Sequence, residues 1–469
     1  MSTRLIIGML GMYACALLFM YRAGVSVALV YMTQMKSSSS SSSSSNRTLS
    51  AENRYFDWNQ NKQGTIIGAS FYLYWCLPTI IGSFTDRYGG QWFAFIGVLG
   101  PCILSAIAPL AIDYYQDIAL IIIQIMIGGF HGFTYPAWFS LFSRWFYGDE
   151  RTRANSWMQI GNAIGCSGMY LLAGHLCTFS TTIGWHMIFY VMAAIHIPWI
   201  VLWLWYGSDD PHANKRISDM ELQFIEREQQ QQNVMTIKPS TLSKKSEIRT
   251  PWLRILVSPV VWSSVICKMC CAFGFFLILN KMPSYFAIIF HLTIEQNGLM
   301  SGLVVAAFGI GSFLSPIICN YLIKHFQMSP LLTRKISQNI AMIGPAICLL
   351  GITYYHHEQQ CSKEIVFTLM IIAMFLHGFF TSGEWTIVSD YARNYAGSIV
   401  GFAHSLAFLM GIIGPWLVGS VFERSDSYGG DTPIDKWNFV FYITIAIYLF
   451  GDIIFTIFGT DQQQDWDKI

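Results

Sequence analysis

The chain has 469 residues, a formal net charge of +1, 53% hydrophobic residues and only 12% charged ones. Soluble domains carry about 25% charged residues, so too little charge is present to cover a water-facing surface of this size. The near-zero net charge also excludes a nucleic-acid binder, which needs a basic face.

A bilayer core takes about 20 apolar residues as helix. Twelve stretches meet that length: about 5–32, 64–84, 92–112, 118–142, 156–178, 185–206, 259–286, 298–322, 336–355, 365–389, 397–421 and 437–459. The first is too long for a signal peptide and no soluble domain follows it, so it counts as a transmembrane helix. The predicted fold is all-α: a polytopic membrane protein with twelve transmembrane helices in two pseudo-symmetric six-helix bundles. The bundles are expected over 1–206, with a lumenal or extracellular loop at 33–63, and over 258–469, joined by a cytosolic linker at 207–257.

Basic residues mark the cytosolic side of a membrane protein. With the N-terminus inside, 18 of the 28 Lys and Arg fall on the cytosolic side and 7 on the other. Arg22, Lys268 and Lys281 remain within helices. Both termini are therefore expected in the cytosol. The sequon Asn46-Arg47-Thr48 then lies in the first non-cytosolic loop, where Asn46 is a glycosylation candidate. It follows a low-complexity run, Ser37–Ser45. The 207–257 segment reads as a solvated spacer with an amphipathic helix around Ile217–Arg227.

Nine of the eleven Cys lie inside apolar runs and act as small hydrophobes. Cys177 and Cys361 allow one disulfide at most. Cys267 and Cys270 have C-x-x-C spacing without a second pair, so no metal site is expected. No P-loop, nucleophile elbow or other catalytic constellation is present, and neither an enzyme nor a cofactor is expected.

The two halves carry traces of a repeat. Phe130-His131-Gly132-Phe133 in the fourth span resembles Leu376-His377-Gly378-Phe379 in the tenth, 246 residues later. The same offset places Arg22 on Lys268. Between the second and third spans, Gly82-Ser83-Phe84-Thr85-Asp86-Arg87-Tyr88-Gly89-Gly90 combines a glycine turn with an acid and a base at the membrane boundary. Asp86, Arg87, Gly89 and Gly90 are candidates for a gating loop.

That nine-residue loop resembles a signature of the major facilitator superfamily. Arg22 to Met32, Gly132 to Ala137, Ser143-Arg144-Trp145, Glu150-Arg151-Thr152-Arg153, Asp209-Asp210-Pro211, Ser258 to Trp262, Pro283-Ser284-Tyr285 and Asp390 to Gly401 resemble its anion:cation symporter group. That group contains sialin, the vesicular glutamate transporters and the sodium–phosphate cotransporter relatives. The resemblance implies a secondary transporter of a small anion. It also departs in places. His131 stands where the group's fourth-helix acid is found, Gln124 where several members have Arg, Ile67 at the second-helix His of the glutamate carriers and Cys271 at their seventh-helix Arg. These departures lower the expectation of glutamate as substrate and of a Glu-based proton relay.

Arg22, His131, Tyr135, Lys268 and Glu384 are the substrate-binding candidates, and Arg22 leads them. It lies near mid-membrane, where a charge faces a wet cavity or a partner, and the first six spans hold no acid. A carboxylate or phosphate fits its planar fork; an ion pair with Glu384 is the competing reading. His131 shares a helix face with Gln124 and Tyr135 and is a proton-coupling candidate. Lys268 reads either as a second cavity cation or as the partner of Glu384 or Asp452. Glu384 is the second proton-coupling candidate. Lys281 is expected to snorkel to the interface. His377 and His404 read as packing histidines, Tyr72, Tyr74 and Trp385 as packing aromatics, and Gly161, Gly165, Gly168, Gly411 and Gly414 as close-packing glycines. The protein is expected to act as a monomer in the bilayer of the plasma membrane or of vesicles or lysosomes, coupled to H⁺ or Na⁺. A non-transporting sensor that keeps the fold, and a carrier of a neutral solute, are the alternatives.

Overall fold

A computed structural model describes residues 2–39, 56, 58–146, 148–179, 184–214, 216–225, 227, 251–357, 362–392, 395–428 and 432–467. The sequon and most of the Ser run lie outside these, as do residues 228–250 of the linker and Cys361. All regular structure among the described residues is helical. The first half of the chain folds as α1 (Thr3–Ser39), α2 (Gln60–Ala69), α3 (Leu77–Tyr88), α4 (Gln91–His131), α5 (Thr134–Trp145), α6 (Gly148–Phe179) and α7 (Gly184–Tyr206). After α8 (Trp252–Val257), the second half folds as α9 (Pro259–Phe290), α10 (Ile294–Phe326), α11 (Pro330–His357), α12 (Lys363–His377), α13 (Glu384–Tyr391), α14 (Ala396–Tyr428) and α15 (Pro433–Phe458).

Nine helical stretches among the described residues are long and apolar enough to cross a bilayer. One of them, Gln91–Trp145, has 55 residues and is broken at Gln116 (φ 51°, ψ −127°). Its two arms fold against each other: a Cβ at Gly97 would lie 3.2 Å from the Phe130 carbonyl oxygen. They are the third and fourth predicted spans. The second span is interrupted, with α2 and α3 flanking an irregular 70–76; the fifth is α6. Outward faces carry large apolar side chains such as Ile107, Leu110, Phe313, Ile347 and Ile457. Lipid is the solvent there, and helices satisfy their own backbone groups within it.

The repeat motifs fall on matching breaks. α4 ends at His131 and yields to a turn at Gly132 and Phe133 before α5. α12 ends at His377 and yields to a 3₁₀ turn, Gly378–Ser382, before α13. Glycine is required at the second break, because a Cβ on Gly378 would lie 2.5 Å from the Ser312 backbone nitrogen. Broken helices are tolerated at membrane depth only where protein or a cavity covers the freed backbone.

Within the first half, α1 packs along α6 and α7; within the second, α9 packs on α14 and α15. The α1–α6 contact is very close. A Cβ on Gly161 would lie 2.1 Å from the Met12 carbonyl oxygen, and one on Gly165 2.0 Å from that of Ala16. Gly168, expected to pack the same way, has nothing within 4 Å of a Cβ. Gly165→Val is therefore expected to part the two helices and cost at least about 1–3 kcal/mol, read as a fall in melting temperature in detergent. Gly168→Val serves as the control that leaves the melt unchanged.

The halves meet through α2 against α14 and α6 against α10. A Cβ on Gly64 would lie 2.5 Å from the Pro415 carbonyl oxygen, and one on Gly298 2.5 Å from that of Tyr170. Five hydrogen bonds cross between the halves among the described residues, one of them between Thr79 Oγ1 and Ser405 Oγ (2.7 Å). Asn61 Nδ2 donates to Glu423 Oε2 (2.5 Å), Ser167 Oγ to the Gly302 carbonyl (2.8 Å), Lys281 Nζ to Gln60 Oε1 (3.3 Å) and Tyr170 Oη to the Leu279 carbonyl. Lys281 therefore does not snorkel. It is fully buried and bonded across the seam, because the opposite half covers its end of α9. All but the Thr79–Ser405 bond lie in the helix portions away from the chain termini. Toward the termini the seam loosens: Gly82 and Gly401 have open space where a Cβ would stand. The halves are thus closed on the far side and more loosely joined on the side of the termini, where Thr79 and Ser405 still touch.

The start of the linker is not a solvated spacer. The Glu221 carboxylate accepts from the backbone N–H groups of Thr3 (3.1 Å) and Arg4 (2.8 Å) and from Ser2 Oγ (2.5 Å). An acid at a helix N-terminus satisfies donors the helix leaves free. Ile225 is buried as well, so the linker begins by packing back on the first half.

Candidate functional site

A cavity of about 640 Å³, counting its open mouth, lies between the halves. The first half lines it with Phe19 of α1, Tyr135 of α5 and Gln159 and Asn162 of α6. The second half contributes Lys268, Cys271 and Phe276 of α9, His377 of α12, Glu384 and Trp385 of α13 and His404 of α14. The wall is mostly aromatic, with a few converging polar groups, as small-molecule sites are.

One ion pair sits on the wall. Lys268 Nζ lies 3.4 Å from Glu384 Oε2, with side chains 5% and 1% exposed. The ammonium also lies 4.4 Å from the centre of the Trp385 ring, within reach of a cation–π attraction. Glu384 is fixed through its backbone, whose N–H donates to Gln338 Oε1 (3.0 Å); Gln338 Nε2 in turn donates to Cys271 Sγ (3.3 Å). Of the two readings of Lys268, the structure has the pair with Glu384. The lysine lines the cavity as a neutralised charge.

The opposite wall is uncharged. Asn162 Nδ2 donates to Tyr135 Oη (2.8 Å) and to Gln159 Oε1 (2.9 Å), while Asn162 Oδ1 is buried without a partner. His404 Nδ1 lies 2.8 Å from the Val400 carbonyl and its ring stands edge-on to Trp385. His377 stacks on Phe275 and sets Nδ1 3.3 Å from the Ala341 carbonyl. His377 Nδ1 also faces the Tyr448 hydroxyl at 3.5 Å.

Arg22 is elsewhere. It is 5% exposed and does not line the cavity. Four rings surround its guanidinium carbon: Phe71 at 4.3 Å, Tyr74 at 4.7 Å, Phe19 at 5.3 Å and Phe276 at 5.4 Å. The Tyr74 hydroxyl lies beside it as a neutral neighbour, and no carboxylate among the described residues partners its three nitrogens. The alternative ion pair with Glu384 is not formed, because Lys268 holds that carboxylate. His131 is also buried behind the wall, its ring edge-on to Tyr21 at 5.8 Å.

The five predicted substrate residues thus divide. Tyr135, Lys268 and Glu384 meet in the cavity; Arg22 and His131 stand behind it. Sequence reasoning passed over Gln159 and Asn162, although two amides three residues apart within a membrane-spanning stretch share a face. It assigned His377, His404 and Trp385 to packing, whereas all three line the cavity.

At the loop between α3 and α4, Gly89 adopts φ +92°, a conformation only glycine takes readily. Gly90 caps the start of α4, where a Cβ would lie 2.5 Å from the Ala137 carbonyl oxygen. Arg87 is exposed, and the Asp86 side chain lies outside the described atoms. The acid that closes this turn is Asp209, which sequence reasoning noted only as part of a motif. Its Oδ1 accepts from the Gln91 N–H at the first turn of α4 (2.8 Å).

Twelve spans, matching helix breaks in the two halves and a cavity between them open to one side define a membrane transporter of the alternating-access type. The chain belongs to the Major Facilitator Superfamily, whose family model matches residues 9–415. It is 28% identical to sialin of Homo sapiens, over 99% of this chain and 91% of that protein. It is 25% identical to vesicular glutamate transporter 1 of Bos taurus, over 88% and 70% respectively. It is 24% identical to a putative inorganic phosphate cotransporter of Drosophila ananassae, over 88% and 82%. Among solved structures, the fold matches a D-xylose–proton symporter with a TM-score of 0.71 at 13% identity, over 99% and 100% of the two chains. It also matches a bacterial homolog of the human lysosomal transporter Spinster, inward-facing and unoccupied, with a TM-score of 0.69 at 13% identity over 99% of both.

Proposed function

We propose that the protein is a secondary active transporter of a small organic or inorganic anion. In this reading residues 1–206 and 258–469 rock as two bodies about the cavity, with both termini in the cytosol, so that the described conformation faces inward. The relatives named for glutamate and inorganic phosphate support an anionic cargo. One observation carries the reading: Arg22 buries its guanidinium near mid-membrane among rings and the Tyr74 hydroxyl, with no anionic partner among the described residues. A buried unpaired charge is costly, and an anion arriving through the cavity is the partner that removes the cost.

Coupling follows from the ion pair. An anion that draws on Lys268 loosens its hold on Glu384, and a carboxylate buried without its partner takes a proton. Glu384, on the cavity wall, is better placed for this than His131. The lysosomal or vesicular membrane is the proposed location. The test is uptake into proteoliposomes of labelled organic acids and phosphate under an imposed pH gradient or membrane potential. Saturable, gradient-dependent uptake of an anion is the expected result. Glu384→Gln is expected to transport without responding to the pH gradient. Uptake of neutral sugars alone would overturn the reading, and the mutual neutralisation of Lys268 and Glu384 makes that the one serious rival.

A further inference from the structure

We infer that Phe19 and Phe276 act as a two-bladed shutter that withholds Arg22 from the cavity in the conformation open toward the termini, so that release of the anion is built into the fold. The inference rests on the reading of Arg22 as the anion's partner.

Both rings line the cavity and both lie within 5.4 Å of the guanidinium carbon. They therefore stand between the cation and the open space. Phe71 and Tyr74, on the segment between α2 and α3, complete the enclosure. Phe19 belongs to the first half and Phe276 to the second. Any rocking of one half on the other changes the gap between them. Phe276 is held in its own half by Phe408 (6.2 Å) and across the seam by Phe71 (4.9 Å). Phe19 in turn touches Phe275 at 6.3 Å.

The electrostatics give the shutter its consequence. With Arg22 enclosed and Lys268 paired to Glu384, no unpaired cation faces the cavity among the described residues. An anion in the open cavity meets two neutral walls and leaves. The four ring faces hold the guanidinium meanwhile, through cation–π contacts that strengthen when desolvated. When the halves close around an anion and the blades part, the guanidinium exchanges those rings for charge-assisted hydrogen bonds, which are stronger and bidentate. Arg22 thus offers its affinity in one conformation and withdraws it in the other, which is the differential binding a ligand needs to shift a conformational equilibrium.

Phenylglyoxal, which modifies accessible arginine side chains, tests the shutter without knowledge of the cargo. The purified full-length protein is labelled, digested and read by mass spectrometry at the peptide that holds Arg22. Labelling of Arg22 is expected to be at least about tenfold faster in Phe276→Ala than in the wild type. Phe276→Leu, which keeps most of the volume and so protects against collapse, is expected to fall between them. Equal labelling of wild type and both variants overturns the shutter. In proteoliposomes, Phe276→Ala is expected to slow both net uptake and exchange of internal for external anion by about tenfold, because each requires release toward the termini; unchanged rates of both also overturn it. If uptake depends on Arg22 but labelling does not change, the shutter fails and the transport reading stands. If labelling changes while neither wild type nor variant moves any anion, the transport reading fails.

Discussion

Replacing Lys268 alone is expected to harm the protein more than replacing Lys268 and Glu384 together. The pair is almost wholly buried, its members 3.4 Å apart. Removing one partner of such a pair leaves an uncompensated charge and costs about 3–5 kcal/mol, whereas replacing both by apolar groups of similar volume is often neutral. Lys268→Met is therefore expected to lower the melting temperature sharply, by destabilisation of about that size. Lys268→Met combined with Glu384→Leu is expected to return to within about 1 kcal/mol of the wild type. Melting curves of the four proteins in detergent form a double-mutant cycle. Strict additivity would show that the two side chains do not act as a pair. The double variant keeps Arg22 and its rings, so in the proposed mechanism it still binds an anion but loses proton coupling.

The second large effect concerns Arg22. Arg22→Ala is expected to reduce anion uptake by about 100-fold, the equivalent of roughly 2.8 kcal/mol, with surface expression intact. Removing the charge also removes a burial cost, so stability is expected to hold or rise. Arg22→Lys is expected to recover only part of the uptake, because an ammonium lacks the planar fork that grips a carboxylate or phosphate with two parallel bonds. Uptake that survives Arg22→Ala would sink the anion reading and favour a neutral solute. Expression at the surface, measured in the same cells, separates loss of function from loss of folding.

Much of the architecture was legible in the sequence because the bilayer imposes a single length on every crossing. The twelve apolar runs correspond to twelve crossings, even where Gln116 joins two of them in one helical stretch and where residues 70–76 interrupt another. The repeat of His131 and His377 was legible as a coincidence of letters. That both mark a helix break was not, because neighbours such as Leu77 at Gly132 and Ser312 at Gly378 approach from elsewhere in the chain. Charges within helices were legible one by one, but their pairing was not. Lys268 had Glu384 and Asp452 as possible acids, and only the packing of α9 on α13 and α14 decides between them. Lys281 was misread for a related reason: nearness to a helix end suggests water, but Gln60 of the opposite half covers that end. The role of the aromatic residues was least legible. Nothing in the spacing of Phe19, Phe71, Tyr74 and Phe276 predicts that rings from both halves would converge on one guanidinium.

Pro283 has no N–H, so the Leu279 carbonyl one turn earlier loses its donor within α9. Tyr170 of the other half supplies one. A gap in one helix's own ladder is thus filled from across the seam, and only while the far side is shut. When that side opens, the carbonyl must turn to water, which then stands where the tyrosine stood. The proline sets apart an acceptor whose hydration records the state of the gate. Its carbonyl stretching frequency, isolated by ¹³C labelling of Leu279, would report opening from within the backbone itself.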